Sequence, residues 1–439
     1  MIFSQSEVAE LISQELEIEC YEIKITQRTD KDPLIYRGSG TIYFNAEGRL
    51  TVKFNDPAQK SNLGLLKQTF LTAGIVSEAD HFDFEATDGT GNTWVCERIF
   101  IYNGIHATPY GTTVTAELPL IKSFKTTKPV QHSYVEIALH GTLNLPYNLY
   151  IENQRQGKDL AGLEFEINQS KFQLTQHKDH VLIRLDSKDL SVDQNYICNV
   201  LDGMALACGK ELPLVYYTKS ATCTYEKHIH GFGKKSPGAQ LEPIVPLTYF
   251  RPEHLSRFIE AFLNNRTRQH DHMLFYWRRL ASSTQPNEVA ALVLTVNIEG
   301  MIKNYFSNLY VPAEKLINEI RLTKNRLRKV KLPSTTKSRI GTALGGMQKL
   351  SPQAILREME KEGIVSKFHV ESWLSLRNLV AHADNLKSDE VSVTNFYNNL
   401  YLCMDLFYAL ICREIGYTGI RSDALWLPSP RREAEIEAG

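Results

Sequence analysis

Apolar and polar residues alternate with a period of two through much of the first half of the chain. Residues 42–54 hold two such runs around Asn45-Ala46-Glu47-Gly48, which predicts a β-hairpin. Residues 82–95 repeat the pattern around Asp88-Gly89-Thr90-Gly91-Asn92, and further alternating runs occupy 112–118, 134–139, 163–167 and 181–185. Short runs with Gly and Asn punctuation predict an antiparallel, sandwich-like β region, built as one sheet unit or two packed ones. No fixed-period repeat or low-complexity tract interrupts it.

The period changes near residue 245. Residues 228–246 gather Gly231, Gly233, Pro237, Gly238 and Pro243, a linker or loop by composition. After Pro252 the spacing turns helical. Residues 254–263 form one amphipathic stretch, and 288–306 are apolar on nearly every side, the pattern of a central buried helix. Pro312-Ala313-Glu314 opens a helix reaching about Lys329, and 335–346, with Thr, Ser and three Gly, reads as a mobile loop. Residues 368–383 and 393–415, closed by Gly416, complete a bundle of about five helices. The expected architecture is α+β multidomain. A β-rich region (1–227) precedes a linker (228–246), an all-α bundle (247–427) and a tail (428–439).

Composition narrows the function classes. The chain of 439 residues is 43% hydrophobic and 23% charged, enough for two or three cores. Its formal net charge of −1 gives no global field for nucleic acid, so any attraction must be local. Such a patch exists at 315–339, where nine basic residues, Lys324, Arg326, Arg328 and Lys329 among them, face one acidic residue, Glu319. They are candidates for an RNA backbone, against the plainer alternative of a solvated helix face. The start has no signal-peptide pattern, no stretch approaches a membrane span, and seven scattered cysteines lack any C-x-x-C pair. This composition predicts reduced thiols in a cytoplasmic protein with no membrane association. His228-x-His230 and His270-x-His272 lack companions at zinc-like spacing, so no metal is expected.

The most specific chemistry lies in Ser375-Leu376-Arg377-Asn378-Leu379-Val380-Ala381-His382. Histidine is the side-chain type whose ordinary pKa lies near neutrality, so His382 can move a 2′-hydroxyl proton. Arg377 offers a planar fork for phosphate oxygens, and Asn378 can donate to phosphate or hold the imidazole. On a helix, Leu376, Leu379, Val380 and Ala383 form a core-facing stripe, with Asn378 and His382 one turn apart on the other side. Arg377 falls roughly 140° from His382. Spacing alone also fits an ordinary solvated face. Arg266 to His272 has a comparable spacing without an apolar stripe, and reads as surface.

This segment resembles the Arg-x(4–6)-His signature of HEPN domains, with the Asn that often follows the Arg. Upstream, Ile298-Glu299-Gly300-Met301-Ile302-Lys303 resembles the acidic-x(3)-basic element of many HEPN ribonucleases. Downstream, Cys412-Arg413-Glu414-Ile415-Gly416-Tyr417 is similar to the last helix of ApeA-like HEPN proteins, whose β-rich N-terminal layout the first half also resembles. The helical resemblance spans about 247–427. It implies a homodimeric endoribonuclease with its site at the two-fold interface and no cofactor. Arg377 would steady the phosphorane, His382 would act on the 2′-hydroxyl or leaving oxygen, and the products would end in 2′,3′-cyclic phosphate. Glu299 and Lys303 would orient the site, or serve as a plain ion pair. The resemblance further implies an abortive-infection effector acting on cellular RNA, tRNA included, and released by a phage-derived trigger at the β region. The alternatives are a non-catalytic HEPN module that binds RNA or protein, and a regulatory subunit of a toxin–antitoxin-like pair.

Overall fold

A computed structural model describes residues 3–58, 76–101, 104–108, 110–126, 133–153, 157–187, 192–221, 223–233, 240–247, 251–265, 270–283, 288–310, 312–347, 350–381 and 389–422. The chain divides into two compact units. One comprises Met1–Cys198, Glu211–Gly238 and Leu247–Ser256; the other comprises Asn199–Lys210, Ala239–Pro246 and Arg257–Gly439. An antiparallel β region thus precedes a helical one, an α+β arrangement.

The β unit opens with helix α1 (Gln5–Ser13), started by a capping box. The Glu7 N–H donates to Ser4 Oγ while the Ser4 N–H donates to the Glu7 carboxylate. Among the described residues fifteen strands follow. The first group is β1 (Glu17–Gln27), β2 (Ile35–Phe44), β3 (Leu50–Asp56), β4 (His81–Asp88), β5 (Thr93–Phe100), β6 (Ile105–Thr108), β7 (Gly111–Glu117) and β8 (Leu120–Thr126). The second is β9 (Tyr134–His140), β10 (Leu149–Asn153), β11 (Gly157–Ile167), β12 (Ser170–Gln176), β13 (His180–Ser187), β14 (Leu214–Ala221) and β15 (Thr224–His230). Helix α2 (Gln194–Cys208) stands between β13 and β14.

Hydrogen bonding joins all fifteen in the order β10-β11-β12-β13-β9-β14-β15-β8-β5-β4-β1-β2-β3-β7-β6, so the strands make one continuous sheet. The sheet narrows at one seam, between β5 and β8 of the first group. Strand β8 pairs with β15 across seven residues but with β5 only at Trp94↔Ser123 and Val95↔Lys122. Alternation places Ile23, Ile25, Ile42, Val52, Phe84, Val114 and Ile121 in a shared core.

The stretch 228–246 is not the free linker its composition suggests. His228 to His230 complete β15, Phe232 is buried in the β core, and Leu241 and Ile244 hydrogen-bond to the carbonyls of Gly209 and Ala207. Gly and Pro mark turns in the backbone, which need not be exposed.

Both predicted hairpin turns are closed by carboxylate or carboxamide oxygens. Asn45 Oδ1 accepts the N–H of Glu47 and of Arg49, and Gly48 supplies the left-handed residue at φ +76°. Asp88, buried in its turn, accepts from Thr90 and Asn92 backbone N–H (2.9 Å each), Thr90 Oγ1 (2.7 Å), Asn92 Nδ2 (2.9 Å) and Trp94 Nε1 (2.9 Å). Burial pushes its carboxyl up, but the bonds from Trp94, Asn92 and Thr90 outweigh that and hold it at about 2.

The helices that follow are α3 (Glu253–Asn264), α4 (His270–Ala281), α5 (Glu288–Met301), α6 (Glu314–Lys329), α7 (Ser334–Gly346), α8 (Pro352–Lys361), α9 (Lys367–Ala381) and α10 (Glu390–Glu414). Helices α5, α9 and α10 pack on one another, and α10 buries ten residues from Phe396 to Cys412. Gly416 (φ +72°) ends α10 in a Schellman motif, with Tyr417 N–H donating to Cys412 O at 2.8 Å. Residues 335–346 are helical rather than a mobile loop. Weak intrinsic propensity is overridden where α7 packs on α6. Among the described residues no helix is long and apolar enough to cross a membrane.

The Asp88 turn yields a test. Asp88→Ala leaves Trp94 Nε1 and the turn's N–H groups without their acceptor and should cost about 1–3 kcal/mol in a urea titration. Because the folded carboxyl is held below its ordinary range, its stabilising contribution is present above about pH 4 and is lost as pH falls toward 2. The wild-type advantage over the variant should shrink across that window.

Candidate functional site

Helix α5 buries Ala290, Ala291, Leu294, Thr295, Asn297, Ile298 and Met301. It is not buried all round, as its apolar sequence suggests. Val289 (64%), Leu292 (45%) and Val296 (43%) remain exposed on its outer side. An all-apolar pattern says that every face avoids water; it does not say that one chain covers every face. The outer stripe continues at helical spacing into Glu299 and Lys303.

At Met301 the α-helix gives way to a π-helical turn over Ile302–Phe306, a rare widening of the ladder found often at functional sites. The Ser307 hydroxyl donates to the Lys303 carbonyl (2.7 Å) within this turn. Tyr276 of α4 braces the region. Its carbonyl accepts from Asn297 Nδ2 (2.8 Å) and its hydroxyl accepts from Asn304 Nδ2 (2.9 Å). Its ring lies across Gly300, where a Cβ would come within 2.5 Å of the hydroxyl. Only glycine leaves room for that crossing.

Helix α9 supplies the second wall. Trp373 and Leu376 are buried, Leu379 and Val380 half-buried, and Arg377 and Asn378 exposed, so the apolar stripe expected of this helix faces inward as far as it is described. Trp373 Nε1 donates to the Thr295 carbonyl of α5 at 3.3 Å, tying the helices together. The Arg377 guanidinium lies 5.7 Å from the Trp373 ring centroid.

The structure brings Glu299, Lys303 and Arg377 into one cluster. Lys303 Nζ donates to Glu299 Oε1 (2.5 Å) and Arg377 Nε donates to Glu299 Oε2 (3.2 Å). The Lys303 hydrogen bond foremost, with the charges of Lys303 and Arg377, holds the Glu299 carboxyl below its ordinary range against partial desolvation. Arg377 is 46% exposed, and its terminal nitrogens have no hydrogen-bond partner among the described residues. One carboxylate between two cations leaves the cluster with a net positive charge and, among the described residues, four guanidinium N–H donors without an acceptor. Asn378 is exposed beside it, and His382 lies outside the described residues.

Sequence reasoning missed a second arrangement on α9. His369, 7% exposed, takes the place of the acidic partner in a capping box. The Ser366 N–H donates to His369 Nδ1 (3.2 Å) and the His369 N–H donates to Ser366 Oγ (3.3 Å). With Nδ1 an acceptor, the proton sits on Nε2 and is donated to Asp405 Oδ2 at 2.8 Å. Arg421 Nη1 donates to the Asp405 carbonyl (3.1 Å) and lies 3.3 Å from Oδ1. The Ser-x-x-His spacing was readable; the partner 36 residues away was not.

The remaining candidates are dispersed. Arg326, Arg328 and Lys329 are exposed on α6, and Lys324 is half-buried. His228 is buried, stacked on Tyr217 at 4.0 Å and bonded to Glu226 at 3.3 Å. Burial, then the charges of His228 and Lys122, hold His230 down at about 4. Among the described residues no three His, Cys, Asp or Glu side chains gather as a metal site.

Compared with protein-family models, with curated proteins and with solved structures, the chain finds no match.

The His369 box predicts a stability effect separate from the cluster. His369→Ala removes the cap acceptor and leaves Asp405 short of a donor, and should lower stability by about 2–3 kcal/mol in urea. Asp405→Asn, which still accepts from Nε2–H, should cost about 1 kcal/mol. Equal costs for the two would contradict the assigned tautomer.

Proposed function

We propose that the helical unit is a metal-independent endoribonuclease of the HEPN type, acting as a homodimer in anti-phage defence. The observation that carries this reading is Arg377. It is held at Nε by Glu299, lies near Trp373, and its exposed terminal nitrogens have no hydrogen-bond partner among the described residues. A guanidinium fixed at one edge and open at the other suits the non-bridging oxygens of a phosphodiester.

In this mechanism His382 takes the 2′-hydroxyl proton, and the 2′-oxygen attacks phosphorus. The P–O5′ bond breaks, leaving a 2′,3′-cyclic phosphate and a 5′-hydroxyl. Arg377 stabilises the charge that builds on the phosphoryl oxygens. The leaving oxygen receives a proton from His382 of a second copy. Glu299 and Lys303 act as positioning residues, and Asn378 binds phosphate or orients the imidazole.

The exposed apolar residues on the outer face of α5 support the dimer in this reading. Leu292 and Val296 are exposed at helical spacing directly before Glu299 and Lys303. A second copy docked there would bury them and bring two Arg377 segments near one another. The β unit is assigned the sensing of a phage-derived trigger, on the strength of the resemblance in layout.

RNA cleavage in EDTA tests the catalytic reading, with and without lysate from infected cells. Arg377→Ala and His382→Ala should each lose roughly 10²–10⁴ of the wild-type rate. Arg377→Lys, which keeps the charge but loses the fork, should still fall at least about tenfold. Wild type inert in both conditions, or alanine variants that cleave equally well, would overturn it. Leu292→Glu/Val296→Glu should convert a dimer to a monomer with unchanged helical content and lost cleavage. A wild-type monomer at micromolar concentration would sink the composite site.

A further inference from the structure

Residues 315–339 carry nine Lys or Arg against Glu319, whereas the rest of the chain has 40 basic and 49 acidic residues, a formal −9. The helices bearing this charge are poor in core: Ile320 is buried on α6, and no residue of α7 is. Two cations serve the hairpin itself. Lys337 Nζ donates to the Arg328 carbonyl (3.3 Å) at the end of α6, and Lys324 Nζ lies beside Gly345, 3.7 Å from where a Cβ would stand. The other seven are exposed, Arg321, Arg326, Arg328, Lys329 and Arg339 among them, and none makes an ion pair among the described residues. On the β unit, by contrast, Arg28, Arg49, Arg98 and Arg184 each sit on a carboxylate.

The hairpin is rooted at the candidate site. Helix α6 begins shortly after the π turn that holds Lys303, and α8, which follows α7, packs against that same turn. The Tyr310 hydroxyl donates to Glu362 at the end of α8 (2.7 Å), fastening the base.

We infer that α6 and α7 form an arm that grips the sugar-phosphate backbone of RNA and leads the strand toward Glu299 and Arg377. The inference rests on the ribonuclease proposal for the identity of its ligand, but binding is measured apart from cleavage. Asn318, Arg321, Asn325 and Arg328 share one 80° sector of α6, at spacings i, i+3, i+7 and i+10. Guanidinium forks interleaved with carboxamides match phosphate and ribose oxygens. A lipid-seeking helix needs a contiguous free apolar face beside its cations. Here Ile317, Ile320 and Leu327 are the covered apolar positions of α6, and exposed Leu316 and Leu322 stand about 120° apart.

The test is fluorescence anisotropy of the full chain with a labelled RNA hairpin over a range of KCl, beside co-sedimentation with phosphatidylserine-containing vesicles. Wild type should bind RNA with an affinity that falls linearly with log salt. Arg321→Glu/Arg328→Glu/Lys329→Glu, which changes only exposed side chains, should keep its helical circular dichroism, bind at least about tenfold more weakly, and lose about 3 from the salt slope. A triple variant that binds as wild type does, or a wild type that takes vesicles and not RNA, would overturn the arm. RNA binding that depends on the three residues in a protein that never cleaves would leave the arm standing and remove the ribonuclease proposal instead.

Discussion

Glu299 holds its negative charge between Lys303 of its own helix and Arg377 of the neighbouring one, and the geometry of the candidate site follows from that sharing. Without the carboxylate the two cations would repel across the α5–α9 interface. All three side chains are partly in water, where such pairs add little stability. The elements that hold them are anything but loose. Trp373 bonds the Thr295 carbonyl, and Tyr276 lies across Gly300 while bonding Asn297 and Asn304. A well-braced scaffold presenting a weakly stabilising ion cluster is better explained by positioning than by folding. The π turn at Lys303 fits that view, since widening a helix sacrifices regular hydrogen bonding at the place where the cluster forms.

The charge of the molecule is distributed unevenly in a second way. Arg28, Arg49, Arg98 and Arg184 of the β unit sit on carboxylates, and among the described residues the seven exposed cations of the α6–α7 hairpin make no ion pair. The hairpin's poor burial means that its helices hold their place through each other and through their base at the π turn and α8. His369 lies about 12 Å along α9 from Arg377, and its ring is wholly engaged by Ser366 and Asp405. It belongs to the framework and stands apart from the Glu299–Arg377 cluster.

Much of the fold was legible where a local rule sufficed. The Asn45 and Asp88 turns, the strand period, the Gly416 stop and the outward placement of Arg377 and Asn378 all follow from neighbours within a few residues. Helices α1, α2, α4, α7 and α8 were not legible. Short or propensity-poor segments become helical when packing supports them, and periodicity alone does not report packing. The continuity of the sheet depends on β14 and β15 reaching both β9 and β8, a long-range pairing that no run of residues announces. The Glu299–Lys303 pair was visible as i, i+4 spacing. Its third member, Arg377, lies 78 positions away and could only be anticipated by resemblance.

The chemistry proposed for Arg377 and His382 would be recorded directly in the ends of the RNA it cuts. End-group mapping of RNA from infected cells, expressing wild type or His382→Ala, measures it without choosing a substrate in advance. New 2′,3′-cyclic phosphate and 5′-hydroxyl ends with wild type, absent with His382→Ala, are the result this account predicts. Ends identical in the two strains, or new 5′-phosphate ends that persist in the variant, would contradict it.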